Sequence, residues 1–221
     1  AVASAAETEA LAARYRAGIG WGEAKIRLNL GSDLGAEDSP ALDAQYIGFH
    51  VAGLKGNLND VEAGSYLLQD IVIGNGRHEA GSTYYLLADG ADKWATGETK
   101  GSNLMVPDNF SGFVVMDIQC MGVKTAAELF KAGGETGFEM HVNKAGADYG
   151  SLWLDAFFYS TDPKLVPKKE DDRPTFEDVD DPAYGYNAQE IAAANGSGQA
   201  PKSQTVYIIN DFENGKADVD F

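Results

Sequence analysis

Apolar and polar positions alternate along much of this chain, and glycine, asparagine and aspartate break the alternation roughly every ten residues. In Lys25–Leu30 the apolar residues Ile26, Leu28 and Leu30 share one face, while Lys25, Arg27 and Asn29 share the other. Gln45–Val51 turns Ile47, Phe49 and Val51 to one side. Tyr66–Ile73, Ser82–Ala88, Phe113–Ile118 and Phe138–Asn143 read as further strands, and Thr205–Asn210 as the last. Leu152–Tyr159 is apolar on both faces, which predicts a central strand with neighbours above and below it. A period of two with such frequent turns predicts a mainly β fold, an antiparallel β-sandwich of jelly-roll type.

Three segments carry a helical signature instead. Ser4 with Glu7, Thr125 with Glu128 and Asn187 with Glu190 each set a capping residue three places before a glutamate. Alanine-rich sequence follows each, and Gly18, Gly133 and Asn195-Gly196 supply the stops. Short peripheral helices are expected over Ala5–Ala17, Ala126–Ala132 and Ala188–Ala194. The whole chain, 1–221, then reads as one domain: a helical opening at 4–17, a core at 24–160, an acidic connection at 162–200 and a returning strand at 204–213. The connection contains KEDDRPTFEDVDDP and is expected to be solvated, with Phe176, Tyr184 and Tyr186 available to pin it down.

Charge narrows the partners. Seventeen Lys+Arg against 34 Asp+Glu give a net charge of −17 in 221 residues. Phosphate backbones are held by cations, so nucleic acid is a poor partner, and so is an anionic membrane surface. Membrane insertion is not expected either, because no apolar run approaches the ~20 residues a spanning helix needs. Cys120 is the single cysteine and excludes a disulfide within the chain; it reads as a small hydrophobe buried in a strand. The opening AVASAAETEA resembles the residues around a leader-peptide cleavage site.

Candidate chemistry centres on aromatic residues. Pyranose rings present weakly apolar C–H faces, so a flat side chain can hold them while polar groups at its rim bind the hydroxyls. Trp94, in ADKWATG beside Asp92 and Lys93, sits where the pattern predicts solvent. It is expected either to form such a platform or to cap one end of the core. Trp21, among the small residues of GIGWGEAK, is a second candidate, whereas Trp153 in the doubly apolar strand reads as core. Tyr84 and Tyr85 point to opposite faces, which leaves Tyr85 as a candidate, and Tyr186 could cap the site from the connection. His50, His78 and His141 lie in or beside strands, away from any G-x-S-x-G or H-E-x-x-H pattern, and catalysis is not expected.

The pieces YIGFHV, YYLLADGADKW, VPDNFSGFVVMDI and ADYGSLWLDAFFYS occur in an order that resembles the β-sandwich carbohydrate-binding-like modules of secreted proteins from gut Firmicutes. Pro107, Phe110, Gly112, Phe113 and Asp155 fill the places of that pattern, which covers about half of the chain. The sequence departs from it at both ends, since the "DFE" strand that usually opens such modules falls here at Asp211–Glu213. The resemblance implies non-catalytic, extracellular binding of a polysaccharide or oligosaccharide, with starch ahead of β-glucan and other plant polysaccharides. It also implies company with other modules of a cell-surface assembly, and a structural calcium held by Asp155 with Asp211 or Glu213. A scaffold or adhesin module without glycan binding is the alternative.

Overall fold

The computed structural model describes residues 11–15, 23–31, 34–56, 68–79, 82–91, 94–100, 103–106, 110–130, 135–143, 150–163, 165–166 and 206–210. Along them run β1 (Leu11–Tyr15), β2 (Glu23–Asn29), β3 (Tyr46–Gly56), β4 (Leu68–Ile73), β5 (Gly76–Arg77), β6 (Tyr84–Ala88) and β7 (Ala95–Thr96). They are followed by β8 (Glu98–Lys100), β9 (Asn103–Met105), β10 (Gly112–Asp117), β11 (Gly137–Asn143), β12 (Gly150–Ser160) and β13 (Val206–Asn210). Among the described residues there is one α-helix, α1 (Ala126–Leu129), with 3-10 turns at Pro40–Asp43 and Ile118–Met121. The chain is mainly β.

The strands form two antiparallel sheets. The larger runs β1-β12-β3-β10-β6-β7, with β13 also on β12, and the smaller runs β2-β11-β4-β9-β8, with β5 on β4. The long-range pairings are nested: β1 with β12, β2 with β11, β3 with β10 and β4 with β9. The main core joins the two sheets. Ile47, Phe49, Val51, Val114 and Leu154 of the larger sheet cluster with Ile26, Leu28, Ile71, Phe138 and Met140 of the smaller. Phe49 meets Phe138 edge to face with centroids 5.2 Å apart, and Phe157 packs on both, at 5.4 and 4.8 Å. Such pairs add about 0.5–1.5 kcal/mol each beyond the area they bury.

The expected alternation is present where the sequence shows it most plainly. In β2, Ile26 and Leu28 are buried while Lys25 and Arg27 are exposed. At α1 the Thr125 hydroxyl accepts from the Glu128 backbone N–H at 3.3 Å, and the Glu128 carboxylate accepts from the Lys124 N–H at 2.9 Å. The first bond satisfies an amide that the first helical turn leaves open, and the second ties down the residue just before the cap. The helix is one turn shorter than the alanine run suggests, ending at Leu129.

The opening segment overturns its helical signature. Leu11–Tyr15 is a strand, antiparallel to β12, with Leu11 opposite Leu154 and Ala13 opposite Leu152. Leu11 and Ala13 pack against the core while Ala12 is exposed. Alanine's helical preference is worth only tenths of a kcal/mol per residue over its neighbours, and pairing along an otherwise open edge outweighs it. The segment expected to be helical at 188–194 lies outside the described residues. Cys120 is likewise corrected: it sits half-buried in the turn Ile118–Met121, and its thiol donates to the Thr83 carbonyl at 2.8 Å.

β13 returns to the larger sheet, with Asn210 opposite Phe157 and Val206 opposite Ser160. It lies along the same edge of β12 as β1, further along and running the same way. The end of β13 therefore faces the start of β1 across the middle of β12. Tyr207 of β13 stacks on Tyr159 at 4.8 Å and 9°, and burial, with a further push from Tyr207, raises the Tyr159 hydroxyl pKa to about 12.

Candidate functional site

The larger sheet has a second apolar layer on its outer face. Tyr46, Tyr85, Leu87, Trp94, Phe113, Val115, Ala156 and Phe158 form it, and Leu165 and Val166 bury with them. The first residues of the acidic connection are thus packed against the sheet rather than solvated. The Tyr46 hydroxyl donates to the carbonyls of Pro163, at 3.3 Å, and Val166, at 3.2 Å, tying this cover down. Burial, then the charge of Asp117, pushes that hydroxyl's pKa well above the ordinary tyrosine value. Gly48 lets the layer close, because a Cβ there would meet the Val114 carbonyl at 2.8 Å and the Phe158 ring at 2.9 Å.

Trp94 belongs to this layer and is 4% exposed. It is therefore not an open platform. The turn at Asp89–Gly90 sends the chain back to pair Ala95 with Leu86, and Trp94 lands against the outer face beside Tyr85 and Leu87. Tyr85 is buried there too, and faces away from Tyr84 of the main core, as the alternation requires. Trp21, Asp92, Lys93 and Tyr186 lie outside the described residues, as do Asp211 and Glu213.

Trp153 reverses its expected role. It is 43% exposed, the exposed large hydrophobic among the described residues. Leu152 and Leu154 on either side face the main core, so Trp153 stands on the outer face. Its register partners are Ala12 of β1 and Ala52 of β3. Strands lie about 4.8 Å apart, so the indole has nothing larger than a methyl group beside it on either neighbouring strand.

A bulge in β12 divides the covered part of this face from the open part. Asp155 pairs with His50 but Phe158 pairs with Gly48, so β12 spends three steps where β3 spends two. Ala156 absorbs the extra residue at φ 43°, in the left-handed region. That conformation costs a residue with a Cβ on the order of 1–2 kcal/mol. The Asp155 carboxylate accepts from the Ala156 N–H at 2.7 Å and holds the bulge. Asp155 is buried, so its described role is to fix this backbone.

His50 stands at the boundary. Its ring meets Phe113 of the covered layer edge to face at 5.0 Å. Its Nε2 donates at 2.9 Å to the carboxylate of Asp89, which is 49% exposed. An indole flanked by alanines, with an imidazole–carboxylate pair one row away, is the chemistry of a stacking surface with a polar rim.

The outer face of the smaller sheet is built differently. Glu139 accepts from Arg27 and pairs with His141, and Lys25 stands 3.7 Å from it. Burial opposes the charged form, but the hydrogen bonds from Arg27 and His141 prevail and hold the Glu139 carboxyl at about 2. Among the described residues no three His, Cys, Asp or Glu side chains gather as a metal site would need.

Sequence reading left Trp94 as either a platform or a cap on the core, and its burial fits the cap; for the exposure of Trp153 one signal was available. In SLWLDAFF, Trp153 shares its face with the charged Asp155, whereas Leu152 and Leu154 share the other. Comparison with known proteins adds no guide: no family model, no curated protein and no solved structure matches the chain.

Proposed function

We propose that this chain is a non-catalytic carbohydrate-binding module of jelly-roll type that acts outside the cell. The exposed Trp153 carries the reading: an indole 43% exposed on a sheet face, with alanines as its register partners on both neighbouring strands. Apolar surface of that size is normally buried, and isolated exposure beside polar groups suits a ligand whose ring is apolar on its face and polar at its edge. His50 and Asp89 would bind ring hydroxyls at the rim. The nested pairing of β1 with β12, β2 with β11, β3 with β10 and β4 with β9 supports the jelly-roll description, since it is a long hairpin folded over on itself. A single platform gives modest affinity, so attachment to other modules would add avidity.

Isothermal titration calorimetry and affinity electrophoresis against starch, xyloglucan, cellulose and pectin test the proposal. Binding to one of them is expected, weakened at least about tenfold by Trp153→Ala, or roughly 1.4 kcal/mol. Binding that survives the substitution unchanged would remove the platform, and silence against every glycan would leave a scaffold module as the better reading. Release of reducing sugar would make the chain an enzyme.

A further inference from the structure

The strand register carries the row of Trp153 across the larger sheet. Trp153 is opposite Ala12 of β1 on one side and Ala52 of β3 on the other. Next to Ala52 in the chain, Val51 pairs with Gly112 of β10, and Gly112 pairs with Ala88 of β6. One residue further, the Asp89 N–H donates to the Ser111 carbonyl at 2.8 Å, so the antiparallel register runs on through Ser111 to Asp89. Phe113 and Leu87, two positions away on the same strands, belong to the outer layer, and alternation puts Ser111 and Asp89 on that face too. The row therefore reads Ala12–Trp153–Ala52–Ser111–Asp89, and three strand spacings, about 14 Å, separate Trp153 from Asp89. The adjacent row, Asp155–His50–Phe113–Leu87, is the margin of the covered layer, with Asp155, Phe113 and Leu87 buried. Beside it the Trp153 row forms a shelf: Ala12 is exposed, and the small residues Ala52 and Ser111 are half-buried. An exposed indole stands toward one end, and at the other the Asp89 carboxylate, 49% exposed, accepts from His50.

We infer that this shelf takes an extended, uncharged glycan, a β-1,4-linked chain lying across the strands. One sugar would stack on Trp153, the following units would pass over Ala52 and Ser111, and a hydroxyl at the far end would donate to Asp89. Each β-1,4-linked sugar advances a chain by about one strand spacing, so about four units cover the distance. An α-1,4-linked glucan coils and would leave the row before reaching Asp89. An acidic glycan would bring its charge to a carboxylate on a chain of net charge −17. The inference rests on the Trp153 platform and adds length, linkage and direction to it.

Calorimetry with cellobiose, cellotetraose, maltotetraose and tetragalacturonate separates the possibilities. The wild-type chain is expected to bind cellotetraose at least about tenfold more tightly than any of the other three, the gain over cellobiose coming from contacts beyond Trp153. Asp89→Ala should weaken cellotetraose about fivefold, the loss of one hydrogen bond to a charged group, and leave cellobiose unchanged. The comparison of ligands uses the unaltered chain, so it stands even if the variant folds poorly. Equal affinity for cellobiose and cellotetraose would overturn the inference, as would maltotetraose or tetragalacturonate binding as tightly as cellotetraose, or no binding of cellotetraose at all. Trp153→Ala reads the platform separately. If a glycan loses affinity with Trp153 but responds neither to Asp89→Ala nor to chain length, the platform stands and the shelf falls; if no glycan responds to Trp153, both fall.

Discussion

Two halves of one sheet face treat a tryptophan in opposite ways. On the side of β6, β7 and β10, Trp94 is buried in an apolar layer that also takes in Leu165 and Val166. On the side of β1, Trp153 stands open between alanines. Both residues lie on the same side of the same sheet, so the difference is one of cover. Neighbours distant in sequence decide whether an aromatic residue supports the fold or is available to a ligand.

The sharpest way to break this contrast is to truncate each indole in turn. Trp94→Ala should cost about 3–5 kcal/mol of stability, the range for deleting a large aromatic from a packed core. Trp153→Ala should cost under about 1 kcal/mol, because an exposed side chain leaves little cavity. Chemical denaturation reads both, and equal losses would mean that the two halves do not differ as described.

The smaller sheet supplies a third case, an outer face held by charge. Glu139 has a folded-state pKa near 2 against an ordinary value of 4.5. Above about pH 4.5 the carboxylate is ionised in both the folded and the unfolded chain, and its full contribution is present. As pH falls from there toward 2 the unfolded chain takes up the proton first, and the contribution drains away. It is on the order of 2–3 kcal/mol, and Glu139→Gln should flatten that part of the stability profile. Denaturant midpoints measured between pH 2 and 6 check it; a variant with the wild-type slope would assign the acid sensitivity elsewhere.

The smallest expected effect lies on the dividing line itself. Ala156→Gly removes the Cβ from a left-handed residue and should stabilise the chain by up to about 1 kcal/mol, offset in part by glycine's greater freedom when unfolded. Thermal melting resolves a change of that size, and a clear loss of stability would mean that the bulge relies on the Ala156 methyl group within the outer layer.

Much of the fold was legible because alternation reports which side of a strand a residue occupies. β2, β3 and β11 can be read that way, and the Thr125 cap can be read from four consecutive residues. Alternation does not report what lies over each side. The layer that buries Trp94 includes Leu165 and Val166, about seventy residues further on, within a stretch whose composition suggested solvent. β1 was hidden for the same reason. Its alanines favour a helix locally, and the partner that makes it a strand, Leu152–Leu154, is most of a chain length away.

The meeting of β1 and β13 along β12 bears on how the molecule assembles. Leu11 waits for Leu154, and β12 itself lacks part of its edge until Val206–Asn210 arrives. The β1–β12 pairing spans more sequence than any other strand pairing among the described residues, and such pairings are slow, because the entropy of closing a long loop is lost before the contacts repay it. The β1 edge of the larger sheet is therefore expected to pair late in folding. During synthesis, the edge of β12 beside Phe157–Ser160 stays unpaired by β13 until Val206–Asn210 has been made.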